Sequence, residues 1–322
     1  MKLTKSADEM KCPLCHAPTS GVLATELRRG AGVVYYCDEC NHGFLVPKQD
    51  FDEKAYYKEV YRQEYSHNVD ISSTNAREIF DIYRHYQRDR LVDIAPYLTN
   101  NKTLLEVGAS AGQFLSHVKD KVAMVNAIEL DKACCAFMQK ELDIDADSEF
   151  LRNSTFANRC YDIVCAFQVM EHVVDPVAFL QDLRHSTKNS GTIFVEVPNL
   201  HDPLLTVWNI EPYQKFYYHS AHLHYFTDDS LKKTAIDAGF MPEQIEIKFT
   251  QDYNLLNHLH WIINKGPQAN CHIGLSEIDF DGADGAISGW LATEMQRLNA
   301  KYISKLILAK ATSNIMMILK NE

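Results

Sequence analysis

Four cysteines near the N-terminus are spaced as ligands of a single metal ion. Cys12 and Cys15 form one C-x2-C pair, and Cys37 and Cys40 form a second pair after an intervening segment of 21 residues. A two-residue spacer lets both sulfurs of a pair face one point, and two pairs make a tetrahedral all-sulfur site that suits Zn²⁺. Because all four ligands are thiolates, no position is left for catalysis, and we predict a structural zinc. The segment between the pairs has a turn-rich centre between apolar residues and predicts a hairpin.

A second chemical signal is a glycine-containing turn after a buried strand. Residues 104–115 begin as an apolar run that includes Glu106, turn through Gly108 and Gly112, and continue as a helical pattern. Such a turn, at the carboxyl end of a first strand, lets a ligand approach the backbone closely. Glu129 follows the next apolar run, 21 positions after Gly108, which is close to the spacing of an acid that binds ribose hydroxyls. A dinucleotide-binding site would need G-x-G-x-x-G, which this turn lacks.

The elements that must position these residues alternate between strands and helices. Strands are expected at 103–107, 122–129, within 144–150, 161–167, 192–197, 244–249 and 314–319. Helical patterns are expected at 112–119, 132–142 and 176–187. This alternation predicts a parallel sheet with crossover helices, closed by an antiparallel pair formed by the last two strands.

Four stretches, in this order, resemble the motifs of class I S-adenosylmethionine-dependent methyltransferases. The glycine turn is similar to the E-x-G-x-x-x-G motif, and FQVMEHVVDP at 167–176 is similar to the fourth-strand motif. GTIFVEVPN at 191–199 resembles the fifth strand, and 222–231 with 238–240 resembles the loop and helix that follow. The resemblance implies an α/β fold, namely a Rossmann-like seven-stranded sheet with helices on both faces. It also implies an enzyme that uses S-adenosylmethionine.

The resemblance further implies which residues would contact S-adenosylmethionine. Gly108 and its neighbours would approach the methionine part, Glu129 would bind the ribose, and Gln168 and Glu171 would lie beside the transferring methyl group. The expected cofactor contacts are Glu106, Gly108, Ala109, Ser110, Gly112, Glu129, Leu130, Gln168 and Glu171. Many members have Gly where this chain has Ser110, and a small side chain there still permits a close approach.

Histidines follow the fifth strand, where the rim of the active site is expected. His219 and His222 are the candidate catalytic residues, because a neutral imidazole can take the proton of an acceptor hydroxyl. YHSAH at 218–222 resembles a distorted Y-H-E-H signature of sugar C-methyltransferases, with one residue more and no Glu. This departure favours methyl transfer to O or N over transfer to C.

We divide the chain into four regions. These are a zinc-binding four-cysteine module (1–48), a Tyr-rich helical lid or linker (49–100), the S-adenosylmethionine-binding core (101–250), and a helical substrate cap with the final strand of the core (251–322). A cysteine module followed by Tyr-rich residues 56–65 and such a core resembles bacterial methyltransferases of sugars, nucleotide-sugars and related metabolites. We therefore expect a small-molecule acceptor.

Two other functions are considered. A zinc-ribbon group that methylates a ribosomal RNA base begins with a similar C-P-L-C knuckle, and this is the alternative. A methyltransferase-like binding protein without catalysis is the third hypothesis, against which the retained Glu106, Gly108 and Glu129 argue.

Charge and hydropathy limit the partners. The formal net charge is −11, and an acidic chain without a basic stripe is poorly suited to phosphate backbones, so no nucleic acid is expected. No stretch approaches the roughly 20 apolar residues of a membrane span, and we expect a cytoplasmic protein that does not contact membranes. The sequence leaves open the acceptor, the choice between the two histidines and the oligomeric state.

Overall fold

The computed structural model describes residues 10–28, 31–46, 55–56 and 75–322. Of the Tyr-rich stretch 56–65, all but Tyr56 lies outside these ranges, so the expected lid stays a prediction.

The elements follow the expected alternation. In chain order the strands are β1 Gly21–Ala24, β2 Val34–Cys37, β3 His42–Leu45, β4 Thr103–Val107, β5 Met124–Ile128, β6 Asp145–Asp147, β7 Tyr161–Phe167, β8 Thr187–Pro198, β9 His224–Tyr225, β10 Ile245–Thr250 and β11 Asn314–Asn321. The α-helices are α1 Ala76–Tyr83, α2 Arg88–Ile94, α3 Leu115–Val118, α4 Lys132–Glu141, α5 Pro176–His185, α6 Pro203–Thr206, α7 Glu211–Tyr217, α8 Asp228–Asp237, α9 Leu255–Asn264, α10 His272–Leu275 and α11 Gly285–Leu308.

The core is a seven-stranded sheet in the order β10-β11-β8-β7-β4-β5-β6. Strands β4 to β8 pair in parallel, whereas β11 runs antiparallel between β8 and β10. Neighbouring residues of one strand point to opposite faces, and both Leu104 and Leu105 are fully buried. The sheet is therefore covered on both faces, as parallel sheets require. The predicted methyltransferase-like fold is confirmed.

Two bounds differ from expectation by three residues or more, for local reasons. The helix after the glycine turn begins at Leu115 and not at 112. Gly112 has φ of +79°, which a right-handed helix excludes. Strand β8 begins at Thr187, earlier than expected, because it continues past a register irregularity opposite β7. Helix α5 begins where Asp175 accepts a hydrogen bond from the Ala178 amide, with Pro176 in the first turn, which is a favoured helix start.

The four-cysteine module forms a small antiparallel sheet in the order β1-β2-β3-β9. The expected hairpin is present as β1 and β2, and β3 extends it. The fourth strand, β9, comes from the core: Gly43 pairs with Tyr225, and Phe44 with His224. Backbone pairing therefore joins the module to the segment that follows His222.

Helices α9, α10 and α11 lie between β10 and β11, so the expected helical insertion before the last strand is confirmed. None of the described helices is both long and apolar enough to cross a lipid bilayer.

Candidate active site

A cavity of about 1080 Å³ opens at the carboxyl ends of the parallel strands, where α/β sheets bind ligands. One end is lined by the glycine turn and by Glu129 after β5. The other end is lined by α7, α9 and the histidine segment around His219 and His222. The glycine turn, the residues after β7 and the histidine segment thus line the same cavity.

The glycine turn is built for a close approach. Gly108 has φ of +77°, and a Cβ added there would lie 2.3 Å from Cγ2 of Val169. The amides of Gly108 and Ala109 donate to the Ile128 carbonyl at 2.7 and 3.1 Å, which fixes the turn on β5. Gly112 does not line the cavity; a Cβ there would meet Met138 at 2.9 Å. Gly112 thus packs against Met138, whereas Gly108 lies at the cavity wall; the expected contacts of both glycines with the cofactor stay predictions.

Two carboxylates flank this turn. Glu129 accepts from the Ser110 amide at 2.6 Å through Oε2 and from the Asp131 amide at 2.9 Å through Oε1. Glu106 is 4% exposed, and its Oε2 has no hydrogen-bond partner among the described residues. Burial raises the pKa of Glu106 to about 8. A buried acid with an orphaned oxygen fits a ligand that brings its own cation, such as the ammonium of S-adenosylmethionine.

Gln168 lies where β7 ends and belongs to a buried polar network. Its backbone has φ of +58°, and its Nε2 donates to Glu196 and to Asn314, both at 3.2 Å. The guanidinium of Arg90 donates from two nitrogens to the same oxygen of Glu196. Arg90 lies outside the motifs of the sequence analysis, and Glu196 lies within the fifth-strand motif without having been expected at the site. The position of Glu196 near the end of β8 could have indicated its role.

Glu171 is brought against the histidine segment by backbone hydrogen bonds. Its carbonyl accepts from the amides of Leu223 at 2.8 Å and His224 at 3.0 Å. Its side-chain Oε1 lies 3.7 Å from Nε2 of His172 and 3.9 Å from Nε2 of His222. Both oxygens of this carboxylate are buried without a hydrogen bond from any described residue, and burial raises its pKa to about 8. The structure thus brings Glu171 and His222 together.

The two candidate bases are neighbours. The ring centroids of His219 and His222 are 3.7 Å apart, and both side chains line the cavity. Burial lowers the pKa of both imidazoles well below the ordinary value, so they are neutral near pH 7. His224 points elsewhere, because its Nδ1 lies 3.0 Å from Nε2 of His42 in the cysteine module.

The far wall of the cavity is aromatic. Tyr213, Phe216, Tyr217 and Trp261 line it, and the Tyr213 and Trp261 rings meet edge to face at 4.9 Å. Buried Asp202 accepts from the Tyr213 hydroxyl at 3.2 Å, and burial raises its pKa to about 7. Sequence reasoning missed Asp202, although its place just after β8 could have suggested it.

Comparison with known proteins identifies the family. A family profile described as a methyltransferase domain matches residues 80–245, slightly more than half of the chain. The chain belongs to this methyltransferase family. It is an S-adenosylmethionine-dependent enzyme, as its motifs predict.

Solved structures resemble the methyltransferase only distantly. An S-adenosylmethionine-dependent methyltransferase from Archaeoglobus fulgidus is 18% identical, with 76% of this chain and 96% of that chain covered and a TM-score of 0.46. One from Thermotoga maritima is 11% identical, with 76% and 94% covered and a TM-score of 0.47. The YcgJ protein of Bacillus subtilis is 12% identical, with 74% and 100% covered and a TM-score of 0.44. No curated protein matches the chain.

The four-cysteine cluster of the methyltransferase is separate from the cavity. The Sγ atoms of Cys12 and Cys40 are 3.5 Å apart, and those of Cys15 and Cys37 are 3.4 Å apart. A tetrahedral zinc site with Zn–S bonds of about 2.3 Å places its sulfurs about 3.8 Å apart, so the cluster fits this ion. None of the four lines the described cavity.

Proposed function

We propose that this methyltransferase transfers the methyl group of S-adenosylmethionine to a hydroxyl, or to a nitrogen, of a small sugar-like acceptor. The observation that carries this proposal is the continuous cavity, which joins the glycine turn to His219, His222 and the aromatic wall. A cofactor at the turn and an acceptor at the wall would share one space, and holding two reactants in line is the main requirement of a displacement.

The residues around the turn would hold the cofactor, which supplies the electrophilic methyl group when bound. Gly108 would let it reach the backbone, and Glu106 would accept its ammonium. Glu129 holds the turn through the Ser110 amide and would keep this role while binding the ribose. Gln168, held by Glu196 and Asn314, would form a rigid floor near the methyl group.

His219 and His222 would take the proton of the acceptor hydroxyl. Burial keeps both imidazoles neutral, which is the form that accepts a proton. Their adjacency means that one can receive the proton while the other orients the acceptor.

The charges of the wall favour an uncharged acceptor. The described lining contains three arginines and eight carboxylates, and two of the arginines already pair, Arg90 with Glu196 and Arg152 with Asp182. The carboxylates are Glu106, Glu129, Asp131, Glu171, Asp175, Asp182, Asp202 and Asp252. Burial leaves Glu106 and Glu171 mostly neutral, and Asp202 and Asp252 partly neutral, near pH 7. The remaining carboxylates still offset the three arginines, so the lining offers no strongly positive site for the diphosphate of a nucleotide-sugar or for the phosphates of RNA. An uncharged hydroxylated ring on the aromatic wall needs no such site.

We also propose that the four cysteines bind a structural zinc ion. The short Sγ distances place thiols in mutual contact, and a cation would relieve the repulsion among their thiolates. The zinc would hold the module that pairs with β9 and thereby support the histidine segment.

The test begins with the binding of S-adenosylhomocysteine by calorimetry, which we expect to be stoichiometric. Methyl transfer is then measured with isotopically labelled S-adenosylmethionine on panels of neutral sugars, nucleotide-sugars and ribosomal RNA fragments. We expect turnover on neutral sugars, lost in His219→Ala and kept in His185→Ala, whose side chain is exposed. A protein that does not bind S-adenosylhomocysteine contradicts the proposal, and turnover on RNA alone would replace the acceptor class.

A further inference from the structure

Three side chains that line the cavity bring potential metal ligands close together. Glu171, His172 and His222 are all buried, and one side-chain atom from each lies within 4.8 Å of the other two. We propose that these three residues bind a divalent transition-metal ion, distinct from the zinc of the four cysteines, with open coordination positions that face the acceptor end of the cavity.

The side chain of Glu171 is buried without a hydrogen-bond partner among the described residues. The side chain is 1% exposed, and neither oxygen receives a hydrogen bond from a described residue. Burying a carboxyl group without a hydrogen-bond partner is costly, and more so when the group is ionised; natural proteins satisfy almost every such group. A cation bound at this position would remove the cost.

The hydrogen bond of His172 fixes which ring nitrogen can bind a metal. Its Nδ1 lies 2.8 Å from the carbonyl oxygen of Ala221, and a carbonyl only accepts hydrogen bonds, so Nδ1 carries a proton. In the neutral ring Nε2 then carries the lone pair, and it is this atom that lies 3.7 Å from Glu171 Oε1. Histidine ligands of metals usually donate their other nitrogen to a carbonyl or carboxylate in this way.

His222 completes the set from a distant part of the chain. Its Nε2 lies 3.9 Å from the same oxygen of Glu171, and its ring meets that of His172 edge to face, with centroids 4.7 Å apart. Metal–ligand bonds of about 2.0–2.2 Å place neighbouring ligand atoms roughly 3.0–3.6 Å apart. The two carboxylate–nitrogen separations exceed this range slightly, and all three ligand atoms lie within 4.8 Å of one another. Rotation of the carboxylate and of the two rings would bring the atoms to bonding distance.

The donor set indicates the kind of ion. Two imidazole nitrogens and one carboxylate oxygen suit zinc, manganese, iron or cobalt, and such three-ligand sites leave positions open for substrate. The four thiolates select soft ions, so the two sites differ in preference. In the proposed function, on which this one consequence rests, an open position would bind the acceptor oxygen and orient it for transfer. His219 would then take the proton of the acceptor, because the metal would occupy Nε2 of His222.

Manganese tests the site directly, because Mn²⁺ prefers nitrogen and oxygen ligands to thiolates. The full chain, purified with its zinc, is dialysed against a mild chelator and titrated with Mn²⁺ while electron paramagnetic resonance measures the free ion. We expect one bound Mn²⁺ per chain, with binding lost in both Glu171→Gln and His222→Ala. The surface variant His185→Ala should keep the full stoichiometry.

Folding is checked in the same preparations. Glu171→Gln replaces a buried carboxyl group with a neutral amide of the same shape, so its metal-free unfolding temperature should stay close to that of the wild type. Mn²⁺ should raise the unfolding temperature of the wild type and leave that of the variant unchanged.

No bound Mn²⁺ on the wild type, together with a total zinc content of one per chain after zinc loading, would overturn the inference. One bound Mn²⁺ per chain in both Glu171→Gln and His222→Ala would overturn the inference as well. Binding of S-adenosylhomocysteine is measured in parallel, so the failure of the metal site and the failure of the proposed function are separate results.

Discussion

Gly108→Ala should damage both the stability and the cofactor site of the methyltransferase. The residue has φ of +77°, and the new Cβ would lie 2.3 Å from Cγ2 of Val169, far inside the 3.5–4.0 Å of a normal carbon contact. The positive φ costs an alanine about 1–2 kcal/mol, and forcing a methyl group into a packed position typically costs about 1–3 kcal/mol. We expect a loss of about 2–5 kcal/mol in the free energy of unfolding.

A second substitution separates the two costs. Val169→Ala removes the atom that the new Cβ would meet but leaves the backbone strain. The double variant should therefore be less destabilised than the sum of the single variants by about 0.5–3 kcal/mol. The free energy lost on adding Gly108→Ala to Val169→Ala should match the cost of the positive φ alone. Both residues line the cavity, so we also expect Gly108→Ala to weaken S-adenosylhomocysteine binding at least tenfold, or about 1.4 kcal/mol.

Gly289→Ala is the matched control. Gly289 lies on the exposed surface of α11, and a Cβ there would meet nothing within 4 Å. Alanine in a helix interior should stabilise the chain by about 0.5–1 kcal/mol. Stability is measured by urea unfolding and affinity by calorimetry. If Gly108→Ala unfolds at the wild-type urea concentration, or Val169→Ala rescues nothing, the close-approach argument is wrong.

Three further predictions address other parts of the site. Binding of S-adenosylhomocysteine near pH 7 should release up to one proton, because the free Glu106 has a pKa of about 8 and the ligand's ammonium favours the carboxylate. Affinity should then rise with pH up to about 8. Calorimetry in buffers of different ionisation enthalpy checks this, and Glu106→Gln should abolish the proton release. Arg90→Leu should cost about 3–5 kcal/mol in urea unfolding, because it leaves Glu196 as a buried, uncompensated charge; a loss under 1 kcal/mol would contradict this. Cys37→Ser should lower acceptor methylation and increase hydrogen exchange in 219–225, because the module supports the histidine segment, while the affinity for S-adenosylhomocysteine stays unchanged. A fall in that affinity would show that the module also supports the cofactor site and would contradict the prediction.

The elements that sequence reasoning predicted best carry strong local signals. Strands β4 and β7 have the expected bounds, because both are apolar runs buried on both faces and flanked by turn residues. The pairing of β3 with β9 could not be predicted in the same way. Strand β9 has two residues, and its partner lies about 180 positions earlier. Such pairing depends on tertiary context, which no local pattern encodes.

The same limit applies within the site. The turn at Gly108 and the acid at Glu129 have a spacing that reflects one strand–turn–helix unit, so their proximity follows from the chain itself. Glu171 and His222 meet only because the amides of Leu223 and His224 donate to the Glu171 carbonyl. Nothing in the number of residues between them predicts this.

The histidine segment is held from two sides, by the core and by the cysteine module. The module therefore affects the active-site geometry although none of its cysteines lines the cavity. From the core, the Glu171 carbonyl accepts the amides that follow His222. From the module, the Leu45 amide donates to the Leu223 carbonyl at 2.9 Å, and His42 contacts His224. Because the positions of His219 and His222 depend on both attachments, a structural metal outside the cavity would still govern the geometry at the acceptor.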